Sequence, residues 1–249
     1  MIEAFIETMQ EDEKEARLHG KFKHLVGLVY KEFSEIHRVD SFEIPENWTK
    51  VCACDFHQRK ACYFVWVAID ENDIAYVYDE LNTQGTIRQI CEKVIAKEKE
   101  HKGRVKYRFI DSISSTPDRI TGKCPQREIA ITGNEMGHPL NFRASTKNWA
   151  MGKDAVMEYL QVKNGKPGIY FFKDRCRMLI ESMTRYTWAN ANTKEGEAEK
   201  PRKMYDDAPD ALRYALVLRI KYQHQQRINY EADNVYDYEK SITGYRLGG

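Results

Sequence analysis

A chain of 249 residues with 42% hydrophobic content can bury a full core, as one domain or one domain with appendages. Charged residues make up 31% but balance to a net +1, so no overall basic field announces nucleic acid and any polyanion site must be local. The longest apolar run, 61–69, is too short to span a bilayer, and no signal-peptide pattern opens the chain, which points to a cytosolic protein.

In chain order, residues 2–18 read as a charged helix with Ile2, Phe5, Ile6 and Met9 on one face, and Gly20 marks its stop. Residues 22–33 are mixed and apolar, and 36–48 form a polar connection containing Pro45. Residues 1–48 are therefore expected to be a linker or the remnant of something upstream. From Val51 the pattern changes to short strands, at 51–55, 61–69 and 74–80, the last two joined by the turn chemistry of Asp70-Glu71-Asn72-Asp73. A helix follows over 86–101, with Ile87, Ile90, Cys91 and Val94 on one face and Gly103 just past its end. A fourth strand, 105–110, ends at Asp111.

Beyond it, 112–149 is rich in Gly, Pro and polar residues, with room for a short helix at 126–131. Helices are expected at 154–161, opened by Lys153-Asp154, and at 175–186, with a strand at 168–172 between them. Residues 190–202 read as an insertion, 208–224 as the last helix, and the chain from 226 as a polar, Tyr-rich tail. Strands interleaved with helices in this order predict an α/β fold, a mixed sheet flanked by helices, over 49–225. The six cysteines lack zinc-ligand spacing and read as core residues or free thiols.

The chemistry concentrates in carboxylates. Asp206, Asp207 and Asp210 fall within five positions at the start of an apolar helical run. Part of this is ordinary helix-start chemistry: Asp is a preferred N-cap, Pro209 suits a first turn, and acids there complement the helix dipole. That account covers two acids and leaves Asp206 over. Asp55 and Asp111 each end a strand, where Asp is also a common turn residue. Together the acids are more telling. If the first and fourth strands pair in parallel, Asp55 and Asp111 leave the sheet at one edge, and a late helix crossing it brings Asp207 or Asp210 alongside. Oxygen-rich sites of this kind suit Mg²⁺ or Mn²⁺, and two such ions can activate water and stabilise the leaving oxygen of a phosphodiester.

Several stretches then resemble one family. They are Asp206-Asp207-Ala208-Pro209-Asp210-Ala211-Leu212-Arg213-Tyr214-Ala215-Leu216, the strand acid of 51–55, the hairpin ending Tyr78-Asp79-Glu80-Leu81, Arg108-Phe109-Ile110-Asp111-Ser112, and 163–172 with the helix around Cys176. Over about residues 15–225 the chain resembles the C-terminal nuclease domain of the large terminase subunit of tailed bacteriophages, a ribonuclease H-like fold. The leading segment resembles the tail of that family's ATPase region, while no Gly-x-x-x-x-Gly-Lys-Ser/Thr loop occurs, so the likeness is to the cutting half.

The resemblance implies a metal-dependent endonuclease that cuts concatemeric double-stranded DNA with Mg²⁺ or Mn²⁺, as two ions, in the cytoplasm of an infected bacterial cell. It implies Asp55, Asp111 and Asp207 as catalytic metal ligands, with Asp210 competing for the third place and Asp206 supporting. Arg59, Lys60, Lys147 and Lys153 would face DNA, and His57, in the same loop, could touch the phosphate backbone. Implied partners are the upstream ATPase domain of the same subunit, the small terminase subunit and the portal, with no membrane. One departure is Phe56-His57, where such domains often place small residues after the strand acid. Two other functions share parts of the pattern: a ribonuclease H-like resolvase or transposase-type nuclease, and a non-catalytic DNA- or capsid-docking module.

Overall fold

In a computed structural model the described residues are 27–189 and 201–223. The helix expected at 2–18, the insertion expected at 190–202 except for its last two residues, and the tail expected from 226 lie outside them. Seven strands form one sheet: β1 (Arg38–Val39), β2 (Thr49–Asp55), β3 (Cys62–Ile69), β4 (Ala75–Thr83), β5 (Val105–Ile110), β6 (Arg143–Ala144) and β9 (Ile169–Phe172). Their spatial order is β1-β9-β4-β3-β2-β5-β6. β7 (Val162–Lys163) and β8 (Lys166–Pro167) make a separate small hairpin. Among the described residues five α-helices accompany the sheet: α1 (Ile87–Lys99), α2 (Pro125–Glu135), α3 (Trp149–Leu160), α4 (Arg177–Arg185) and α5 (Asp207–Leu216).

β3 is antiparallel to both its neighbours, whereas β2–β5, β4–β9, β1–β9 and β5–β6 pair in parallel. The parallel β2–β5 pair places Cys54 beside Ile110, so Asp55 and Asp111 leave the sheet together, which meets the condition stated above for the two acids. All residues of β2 and β3 are buried, which explains why these strands read as continuous apolar runs: both faces are covered. Register pairs Cys52 with Trp66 and Arg108, and their face meets α1 through Glu98, which accepts from the Trp66 indole and the Arg108 guanidinium. Side chains alternate, so Ala53, Val65 and Asp55 face the other way, where α5 lies across β2, β3 and β5.

Several boundaries move for local reasons. α1 begins after Thr86, whose hydroxyl accepts from the Gln89 amide while the Gln89 side chain accepts from the Thr86 amide. α3 starts five residues earlier than expected, because the Asn148 side chain, not Lys153-Asp154, caps it by accepting from the Met151 amide. The last helix ends at Leu216 instead of running to 224. The segment 27–48 packs on the domain: Val29, Tyr30, Phe33 and Ile44 are core residues, and β1 extends the sheet at β9. Among the described residues no helix is long and apolar enough to cross a membrane.

Candidate metal centre

The edge of the sheet where β2 and β5 end carries the acids. Asp55 is the last residue of β2, 6% exposed, and its Oδ2 lies 2.9 Å from His57 Nε2. The same nitrogen lies 3.2 Å from Oδ1 of Asp207, the first residue of α5. Lys60 Nζ is 2.5 Å from that Asp207 oxygen. Donor atoms of Asp55, His57 and Asp207 all fall within 4.8 Å of one another, a spacing that one cation could satisfy.

The ionisation of these groups follows from the crowding. Burial raises the Asp55 carboxyl above its usual range, against the pull of His57. The hydrogen bonds to Asp207 and Asp55 push His57 up to about 9, so its ring carries a positive charge at neutral pH. Burial also acts to raise Asp207, but the bonds from His57 and Lys60 outweigh it and hold that carboxyl low. Two anions at this edge are thus balanced by two cationic side chains, which is the charge a divalent ion would bring.

Asp111 stands next to this pair. Its Oδ2 accepts from the Ser114 hydroxyl at 2.6 Å and from the Phe56 amide at 3.4 Å, and its Oδ1 accepts from the Ser114 amide at 2.9 Å. Those bonds fix the carboxylate beside the residue that follows Asp55, and Oδ1, with one bond, keeps lone-pair capacity. Asp210 is turned another way. Its Oδ1 accepts from Arg213 Nη2 at 2.8 Å and Nε at 3.1 Å, within the first turns of α5. Burial, with Asp55 and Asp206 nearby, still pushes the Asp210 carboxyl up to about 6 despite the guanidinium. Asp206 is the N-cap residue of α5 but makes no side-chain capping bond, and Asp207 and Asp210 have the partners just given. Side-chain capping therefore does not account for Asp206, while Asp207 and Asp210 stand in the first turn, where acids suit the helix dipole.

Arg213 is 4% exposed and lies over the ring of Trp149 at 5.8 Å, and Trp149 packs edge-on against Trp188. Gly152 lets α3 come this close to α5, since a Cβ there would sit 3.1 Å from Arg213 Nη1.

Of the basic residues picked out from sequence, Lys60 reaches the centre. Arg59 is exposed in the same loop, its carbonyl accepting from the Gln84 side chain. Lys147 is exposed in the turn after β6, at the sheet edge that Asp111 leaves. Lys153 lies on α3 and pairs with Asp154 at 3.1 Å. Glu80, close to these strands, serves elsewhere: it accepts from the Met178 and Leu179 amides at the start of α4 and from the Tyr63 hydroxyl.

His57 stands closer to the acids than a loop residue beside them in sequence need do. The available signal was its spacing, because residues i and i+2 of an extended segment share a side, which aims His57 the way Asp55 points.

No protein-family model matches the sequence, and no curated protein matches it. Solved structures do match. The large terminase from a thermophilic bacteriophage, in complex with ATP-gamma-S, superposes with a TM-score of 0.59 at 19% identity, over 76% of this chain and 45% of that one. The present chain thus spans less than half the length of that terminase. The P22 large terminase nuclease domain gives 0.59 at 16% identity, over 78% of this chain and 94% of that one. The large terminase nuclease from thermophilic phage G20c, with bound cobalt, gives 0.51 at 10% identity, over 76% and 96%. These likenesses establish the fold, the ribonuclease H-like mixed sheet of large-terminase nuclease domains.

Proposed function

We propose that this chain is the nuclease part of a genome-packaging terminase, a divalent-metal-dependent endonuclease acting on concatemeric double-stranded DNA. The observation that carries the reading is the meeting of Asp55, Asp207 and His57 within one cation's reach, beside Asp111, on a fold shared with terminase nuclease domains. The donor set fits such an ion: two carboxylates and an imidazole that becomes a donor once His57 sheds its Nε2 proton, with Lys60 beside Asp207.

Bound Mg²⁺ or Mn²⁺, as two ions, would supply Lewis-acid activation of water and of the phosphate for in-line hydrolysis. Asp55 and Asp207 are the proposed ligands of one ion, with Asp111 held in place by Ser114 and Phe56 for the second. Asp210 and Asp206 add negative charge around them, and Arg213 orients Asp210. Lys60 is positioned to leave Asp207 for a DNA phosphate once a metal replaces its charge, with Arg59 and Lys147 exposed for further backbone contacts and Lys153 on the flanking helix. No side-chain nucleophile is required, since water attacks the phosphorus directly.

The upstream ATPase domain of the same subunit, the small terminase subunit and the portal are the proposed partners. The host cytoplasm is the proposed setting.

Plasmid cleavage in Mn²⁺ tests the reading. Asp55→Ala and Asp111→Ala are expected to abolish cutting while circular dichroism shows the fold retained. Undiminished cutting by both variants sinks the proposal, and preference for a four-way junction over linear duplex would move it to a resolvase-type nuclease.

A further inference from the structure

We infer that His57 is itself a nitrogen ligand of the ion, and that it makes this centre prefer Mn²⁺ and other first-row transition ions over Mg²⁺. This assignment rests on the reading of Asp55 and Asp207 as ion ligands and names the class of ion they take.

The geometry is specific. His57 Nε2 is the atom that points inward, 2.9 Å from Asp55 Oδ2 and 3.2 Å from Asp207 Oδ1, so it lies between the two carboxylates and not at their rim. The backbone that carries it is held at both ends of its peptide groups. The His57 amide donates to Cys62 Sγ at 3.3 Å, and the Cys62 thiol donates to the His57 carbonyl at 3.2 Å. Cys62 opens β3 and is fully buried, so this reciprocal pair ties the 56–61 loop to the central sheet. The ring is aimed at the acids by the fold, which reduces the entropic cost of making it a ligand.

A side chain whose task was only to contact phosphate would gain from reaching outward, as the neighbouring Arg59 does. His57 instead occupies the cation's own surroundings. Neutral imidazole is a common ligand for transition ions, whereas Mg²⁺ takes oxygen almost exclusively; an arriving ion takes the place of the His57 Nε2 proton, which passes to solvent. Replacing one oxygen donor by nitrogen therefore favours Mn²⁺ or Co²⁺ over Mg²⁺.

The second grouping with such spacing among the described residues, Asp79, Glu100 and His101, carries more fixed charge: Asp79 accepts from both Lys97 at 3.0 Å and Arg175 at 3.3 Å, where Asp207 meets one lysine, Lys60. It provides an internal control.

The experiment is pulsed electron paramagnetic resonance of Mn²⁺ bound to the full chain, with calorimetry of Mn²⁺ and Mg²⁺ binding. The wild-type chain is expected to show nitrogen coupling from one imidazole, altered when its histidines carry ¹⁵N. His57→Gln is expected to abolish the coupling and to weaken Mn²⁺ binding by about tenfold or more, with Mg²⁺ binding much less affected. His101→Gln is expected to leave both unchanged.

Mn²⁺ that binds the wild-type chain without nitrogen coupling overturns the inference and spares the proposed function. Coupling that survives in a folded His57→Gln overturns it as well. If that variant does not fold, the labelled wild-type chain and His101→Gln decide: coupling lost in His101→Gln assigns the ion to the other cluster. A chain that binds no divalent ion at all overturns this inference together with the reading it rests on.

Discussion

Asp210→Asn separates two opposing effects at the centre. The general expectation for a buried ion pair is that removing one partner costs about 3 to 5 kcal/mol, because the other charge is left unpaired. Here Arg213 would be the orphan, 4% exposed and bonded twice by Asp210. The carboxyl, however, is pushed from 3.8 up to about 6, chiefly by burial and further by Asp55 and Asp206, even with the guanidinium in place. Ionising it at neutral pH therefore costs about 3 kcal/mol relative to the unfolded chain, at about 1.4 kcal/mol for each tenfold change in proton affinity. Asn resembles the protonated acid in shape and still accepts from Arg213.

The sign follows directly. A raised carboxyl lets the folded state hold a proton that the unfolded state releases, so its penalty is full above about 6 and fades as pH falls toward 3.8. In metal-free buffer with chelator, Asp210→Asn is expected to gain up to about 3 kcal/mol at pH 7.5, or roughly 6 to 12 °C in Tm. At pH 4.5 the gain should shrink to about 1 kcal/mol. Urea or thermal unfolding of both chains at the two pH values measures it. A variant less stable than wild type at pH 7.5 would refute the reasoning, since the Arg213 pair would then outweigh burial. So would a gain that does not change with pH.

Three further outcomes are expected. Glu98→Gln strips the buried acid that Arg108 meets at 2.5 Å and His138 at 2.7 Å, and should cost about 3 to 5 kcal/mol, on the order of 10 °C in Tm, in thermal unfolding at pH 7.5. Lys60→Ala should weaken DNA binding evenly across sequences and reduce the slope of log affinity against log salt by about 1, as read by fluorescence anisotropy; an unchanged slope removes Lys60 from the DNA surface. All six cysteines are free and buried, so a thiol reagent should label none of them promptly in the native chain and all of them in guanidinium. Rapid native labelling would mean that the central strands, which carry Cys52, Cys54 and Cys62, open readily.

Sequence alone determined the strand set of the sheet centre and the residues that end it. The apolar runs of β2 and β3 are buried on both faces, so they are legible whatever packs on them. The strand ends at Asp55 and Asp111 are equally plain, because polarity changes there in one step, whereas the parallel pairing of their strands was a condition in sequence that the register of β2 and β5 met. The likeness to terminase nucleases, drawn from scattered stretches, anticipated the fold that the solved structures share.

What sequence could not divide was the work among Asp206, Asp207 and Asp210, since on a helix one residue of separation is a turn of about 100° and the neighbours lie on other elements. Only the tertiary structure set Asp207 against His57 and Lys60 of the β2–β3 loop and gave Asp210 to Arg213. Likewise, Asn148 fixed the start of α3 through a capping bond that the apolar periodicity does not register. His57 joined the centre for the same reason. A two-residue spacing hints at a shared side, but the distance to Asp207 depends on a helix 150 residues further along the chain.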